Sequence, residues 1–352
     1  MAYTLPYLDR MDEAKAAVKG LHRLLPGFTI ENALEFYRMF CFGDSFLQQI
    51  RQSLLLAGLP SRGKLSADLK VIEPVRAKTL KINDITVEYT DVGEGEPVVF
   101  VHGSVSDYRS WAHYLLPISE NHRYIAYSQR YFGSQPWQDN GDNWSSDIFA
   151  SDLVAFVEAL DIGRVHLVSW SSGVIMSNIA AINRPDLFKS IIHYEPVSND
   201  IMVGDTEAEP SKKVWSALWK PLFDHLKVGN HHGAVEVMIE NVFELESGGY
   251  AKETEATKEL TRYNGRTLSL RFGEANKVGT KLTCDYLSAI KTPTLVVLGE
   301  TTHKYWELMS KKFADCTPEA NFKIMPDTNH KGPLEKVKEF SDLIIEFVER
   351  NK

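Results

Sequence analysis

Cysteine is scarce: the chain of 352 residues carries three, Cys41, Cys284 and Cys316, far apart and in no spacing that would chelate a metal. That excludes a zinc ribbon or a disulfide-stapled scaffold and predicts reduced thiols used as small apolar residues. Positive charge is not in excess either. Lys and Arg total 39 against 47 Asp and Glu, a net charge of -8, and no segment gathers the clustered cations that a duplex-binding face needs. Nucleic acid is thereby excluded as the working partner. No stretch is long and uncharged enough to span a bilayer. The opening MAYTLPYLDRMDEAKAAVKG has acidic residues where a secretory signal would have an apolar centre. The expectation is a soluble, cytoplasmic protein with no membrane partner. Internal repeats and low-complexity tracts are absent as well, which removes solenoids.

What is present is an ordinary globular balance, 43% hydrophobic and 24% charged, enough for a sizeable core. Leu8, Met11, Ala14, Val18, Leu21 and Leu25 recur every three or four positions, which predicts a first helix. Ile30, Leu34, Tyr37 and Phe40 continue that spacing. Ser45 with Gln48 three residues on has the form of a capping box that opens a third helix through Leu55. Residues 1–76 are read as a helical extension ending in a polar connector. The run from Phe36 to Phe42 is aromatic without a basic opposite face, so it docks onto the main domain or onto a second copy in a homo-oligomer.

Beyond the connector the period changes from helical to alternating. Leu80–Ile82 and Ile85–Thr90 alternate apolar with polar across Asn83 and Asp84, a strand pair with a tight turn. Short apolar runs of the kind buried on both faces of a sheet follow: EPVVFVHG, YIAYS, VHLVSW, SIIHYE, PTLVVLG and FKIM. Most are separated by helical stretches such as 147–160 and 173–182. The fold class is therefore α/β, a mostly parallel sheet flanked by helices, over residues 77–196 and 291–352. Residues 197–290 read as helices at 211–226, 232–245 and 253–262, a cap over the sheet edge.

A nucleophile between a strand and a helix sits on so tight a turn that the residues two before and two after it must be small. In SWSSG only Ser171 satisfies this, with Ser169 before and Gly173 after. Ser169 stands where the usual pattern has Gly. Such a turn aims the amide of Ser172 at a developing oxyanion, and the His-Gly turn after VVFV offers a second amide from Gly103 or Ser104. His330 lies in a loop after the last predicted strand, late enough in the chain to serve as the general base. His231 and His232 are adjacent, point apart on a helix and lack further ligands at zinc spacing, so they are read as a solvated pair. Trp215, Trp219 and Phe223 recur every four residues on one helical face, turned to the cap's own core or to a substrate cavity. Trp170 lies beside the candidate serine, against substrate or packed into the sheet.

From about Leu80 to the C-terminus these features, in this order, resemble an α/β-hydrolase. The resemblance implies a carboxylate that fixes the tautomer of the histidine, which many members place after the strand read here as PTLVVLG. Thr302 stands at that place and carries no charge. Glu195, at the end of SIIHYE, comes to the same sheet edge from the neighbouring strand and is the preferred acid, with Glu300 and Asp327 competing. A serine elbow with a Glu-bearing strand end resembles the zearalenone-type lactonases; the dehalogenases and epoxide hydrolases use an Asp nucleophile. The expectation is a serine esterase or lactonase needing neither cofactor nor metal. It would act on a small to medium apolar ester or lactone through Ser171, His330 and Glu195. Carbon–carbon hydrolysis, lyase or perhydrolase chemistry and a degenerate ligand receptor are the alternatives.

Overall fold

The computed structural model of the protein describes residues 11–24, 28–38, 44–61, 77–273 and 279–352. The chain divides into two units, Met1–Ala77 and Lys78–Lys352. The first contains helices Met11–Leu24, Ile30–Arg38 and Asp44–Leu56, which bury Ala14, Val18, Ile30, Leu34, Ile50 and Leu54. Its third helix opens at Asp44, so Ser45 lies inside the first turn and not in the capping position read from the sequence. Cys41 and most of the run from Phe36 to Phe42 lie outside the described residues.

The second unit is built on an eight-stranded sheet in the order β1-β2-β4-β3-β5-β6-β7-β8. The strands are β1 Lys78–Ile82, β2 Ile85–Val92, β3 Pro97–Val101, β4 Arg123–Tyr127, β5 Val165–Trp170, β6 Phe188–Tyr194, β7 Thr294–Gly299 and β8 Asn321–Met325. β1 pairs antiparallel with β2 and β2 with β4; every later pairing is parallel. Asn83, which opens the turn between β1 and β2, has φ +46°, the left-handed region that Asn tolerates and a tight hairpin requires. β3, β5 and β7 are buried at every position, as expected where helices cover both faces. Helices Ser146–Leu160 and Gly173–Asn183 pack side by side, the first capped by the Ser145 hydroxyl accepting from the Asp147 N–H.

Between β6 and β7 the chain forms helices Glu209–Leu218, Lys220–Lys227, His231–Val242, Glu255–Asn264, Thr267–Phe272 and Cys284–Leu287. The single helix expected over 211–226 is two, broken at Trp219. Pro221 explains the break, since it lacks an N–H and its ring crowds the carbonyl four residues back. His231 was expected to be solvated with His232, yet its Nε2 meets Ser269 Oγ at 2.7 Å. The loop after β3 is tied to this helical segment by Asp107, fully buried, which accepts from Arg109 Nη2 and Asn264 Nδ2, both at 2.7 Å. Burial pushes its carboxyl up, but the Arg109 and Asn264 bonds outweigh that and hold it below the usual carboxylate range.

The reduced-thiol expectation is corrected for two of the three cysteines. Cys284 and Cys316 form a disulfide with Cα atoms 4.8 Å apart. Their 32-residue separation conceals this, because β7 and helix Lys304–Cys316 double the chain back. Among the described residues no helix is long and apolar enough to cross a membrane.

Buried histidines on and beside the sheet set an acid limit. His102 and His193 are fully buried, and burial lowers their pKa values to about 4 and about 3, so both are neutral in the folded state at pH 7. Unfolded, each takes up a proton near pH 6.5. Their contribution is therefore intact above that pH and is lost as pH falls toward the folded values. The slope is about 1.4 kcal/mol per pH unit for each histidine. Urea unfolding midpoints should accordingly drop steeply between pH 6 and pH 4.5, and Asn or Gln at position 193 should flatten that dependence.

Candidate active site

β5 ends in the turn that carries Ser171. Its φ is +56°, unusual for a residue with a Cβ, and its N–H donates to the Tyr194 carbonyl at the end of β6 at 3.1 Å. The helix from Gly173 starts at once. A methyl group on Gly173 would lie 2.6 Å from the His102 carbonyl oxygen and 2.7 Å from that of Val101, so the close approach of helix and β3 demands glycine. Ser169 replaces the usual first glycine without conflict because its hydroxyl is fully buried and meets Ser177 Oγ at 2.7 Å. Ser177 in turn donates to the Gly173 carbonyl.

The His-Gly turn packs directly on this elbow. A Cβ on Gly103 would lie 3.1 Å from the Cβ of Ser171 and 3.7 Å from its Oγ, and Ser104 Oγ meets Ser172 Oγ at 2.9 Å. His102 is a clamp with no free nitrogen: Nδ1 donates to the Gly103 carbonyl, and Nε2 accepts from the Gln129 N–H at 3.0 Å. Gln129 Nε2 closes the clamp on the His102 carbonyl at 2.6 Å. Val105, two residues past Gly103, also has positive φ, +47°. Ser171 and Glu195 (φ +45°) are thus strained side by side at one sheet edge, the pattern of a preorganised site.

Glu195 is fully buried and meets His330. Its Oε2 accepts from His330 Nδ1 at 2.7 Å and from Thr302 Oγ1 at 3.2 Å, while Oε1 accepts from the Gly299 N–H at 2.9 Å. The competing acids are elsewhere: Glu300 and Asp327 are exposed, and Glu300 Oε2 accepts from the Asp327 N–H. Thr302, at the place where an acid was missing, has become a donor to the acid supplied by β6.

Aromatic rings enclose the imidazole. Trp306 stacks on His330 with centroids 3.9 Å apart and planes at 24°, and Trp170 and Phe243 stand at 5.5 and 6.5 Å. The indole N–H groups of Trp170 and Trp306 are buried with no hydrogen-bond partner among the described residues. Of the aromatics expected against substrate, Trp170 is buried against Trp111 and Phe243. Trp215 touches Trp306 and Trp219, Trp219 touches Phe272, and Phe272 touches Phe223. The break at Trp219 means that these rings form a line from the cap surface to His330, not a single helical face.

Trp306, Phe243 and Gln129 escaped the sequence reading. Tyr305, Trp306, Met309 and Phe313 are buried at helical spacing, a period that could have revealed the helix; nothing in the sequence pairs Gln129 with His102.

A family model described as the alpha/beta hydrolase fold matches residues 96–337. The chain belongs to that family. The α/β-hydrolase is 29% identical to epoxide hydrolase 2 of Siraitia grosvenorii over 123 residues, 35% of this chain and 39% of that protein. It spans about two-fifths of the length of the curated relatives it first matches. Its fold is shared with a thermophilic esterase from Thermogutta terrifontis (20% identity, TM-score 0.56, covering 78% of this chain and 98% of that one). The same holds for Est816, an N-acyl homoserine lactone degrading enzyme (20% identity, TM-score 0.59, 77% and 100%).

The elbow geometry makes Gly173→Ala a sharp test. With two backbone carbonyls inside contact distance of the new methyl, the variant should lose about 2 kcal/mol or more of stability. Ser169→Gly, which removes only a satisfied hydroxyl, should lose far less; thermal denaturation of both variants checks this.

Proposed function

We propose that this α/β-hydrolase is a cofactor-independent serine hydrolase that cleaves a small to medium apolar carboxylic ester or lactone. The observation that carries the reading is the 2.7 Å hydrogen bond from His330 Nδ1 to the buried Glu195 carboxylate. With the proton on Nδ1, the other ring nitrogen is left with a lone pair, which a general base needs. Ser171 transfers its proton to that nitrogen as it attacks the carbonyl carbon. The amides of Ser172 and of Gly103 or Ser104 receive the oxyanion. Glu195 stabilises the imidazolium, helped by the electron-rich face of Trp306. The imidazolium then protonates the leaving alkoxide and an acyl-enzyme remains, which water activated by His330 hydrolyses.

The line of rings from Phe223 to Trp306 suits an apolar substrate, and the free indole N–H groups of Trp170 and Trp306 suit a substrate oxygen. A serine at the elbow argues against the epoxide and halide chemistry run by aspartate nucleophiles. The receptor alternative drew its support from the missing acid at Thr302, and the Glu195 contact removes that support. The cytoplasmic home proposed from the sequence stands against the Cys284–Cys316 disulfide, a bond that is rare in that compartment.

Ser171→Ala should abolish hydrolysis of every ester and lactone the parent cleaves and should block labelling by a serine-reactive phosphonate. Glu195→Gln should lower kcat by about 10³- to 10⁴-fold, while Glu300→Gln and Asp327→Asn stay near the parent. Near-parental turnover in Ser171→Ala, or a large loss in Glu300→Gln, would sink the assignment.

A further inference from the structure

His330 is held in place from both sides, and the grip comes from the cap. Its predecessor Asn329 donates from Nδ2 to the Phe243 carbonyl at 2.9 Å and accepts the Tyr194 hydroxyl on its own carbonyl at 2.6 Å. Its successor Lys331 reaches Glu253 Oε1 with Nζ at 2.7 Å and lies over the Phe243 ring, 5.7 Å from its centroid. Phe243 ends the helix His231–Val242 and stacks parallel to Trp170, the residue before the candidate nucleophile. Successive Cα atoms are about 3.8 Å apart, so fixing residues 329 and 331 leaves residue 330 little room to move.

The ion pair is unlike the others at the surface. Lys331 and Glu253 side chains are 18% and 8% exposed, against 83% and 61% for Lys338 and Asp342. An exposed pair separates easily because water and salt replace the partner. This part-buried pair separates less readily, since either charge left alone there is poorly solvated. The remaining charged neighbour of Lys331 is Glu335, at 3.2 Å and half exposed.

We propose that Lys331 is a positioning residue whose ion pair with Glu253 makes the cap segment 243–253 part of the machinery that holds His330 on Glu195. The inference rests on the serine-hydrolase reading for its kinetic consequence but not for its structural one. It also implies that the cap does not swing away from the 329–331 loop during turnover. Substrate must enter past other cap segments.

The test uses the full-length protein with Lys331→Met, Lys331→Arg and Glu253→Gln. The first readout is the far-downfield imidazole Nδ1–H proton resonance of His330, which reports the bond to Glu195 whatever reaction is catalysed. The second is the phosphonate-labelling rate and its pH profile. Lys331→Met and Glu253→Gln should weaken or broaden the imidazole signal, slow labelling about tenfold or more and displace the pH profile. Lys331→Arg should restore most of both. A Lys331→Met protein that melts like the parent and keeps the imidazole signal would overturn the proposal. A parent that shows the signal but takes no phosphonate would overturn the serine-hydrolase reading, while the signal in the variants still decides the role of Lys331. If Lys331→Met fails to fold, Glu253→Gln alone decides, because it leaves the cation and removes only the partner's charge.

Discussion

The site depends on one buried carboxylate. Glu195 leaves β6 in a left-handed conformation and enters a pocket where all its donors are provided: the Gly299 amide, the Thr302 hydroxyl and the His330 imidazole. A charge buried without such partners would be prohibitively unfavourable. Each donor comes from a different segment, so the carboxylate gathers the end of β7, the turn after it and the loop of His330 around a single atom group. Loss of any one partner would be felt by the others, as in any buried polar network.

The same edge explains where backbone strain is tolerated. Ser171 and Glu195 are successive strand-end residues on β5 and β6, and the Ser171 N–H is fixed by the Tyr194 carbonyl next to Glu195. Positive φ at residues with side chains is unfavourable by about 1–3 kcal/mol each. The parallel sheet offsets this because β5 is buried at every position and β6 at all but Lys189, which disfavours a slip of one strand past the other at this edge. The rigid sheet brings Ser171 and Glu195 side by side; the 329–331 loop brings His330.

Much of this could be read from residue order. The eight strands, the elbow at Ser171, the His-Gly turn and the late histidine left period and turn signals that depend only on local chain chemistry. So did the candidacy of Glu195 as the partner of His330, because adjacent parallel strands end at a common edge and Thr302 stands where many members of the family place the acid. Other features depended on contacts between distant segments and left no such trace. Pro221, a local signal, splits the helix expected over 211–226. The Cys284–Cys316 bond, the stacking of Trp306 on His330 and the hold of Phe243 on the base loop arise from the path of the intervening chain.

By itself, then, the sequence determined which residue types sit at the ends of which strands, since strand and helix periods, tight-turn requirements and the parallel rule are properties of short segments. Tertiary structure alone decided how the Glu195 carboxylate meets the imidazole and what surrounds the pair. Those outcomes depend on side-chain direction and on ångström-scale separations between segments far apart in the chain, and no local pattern encodes either.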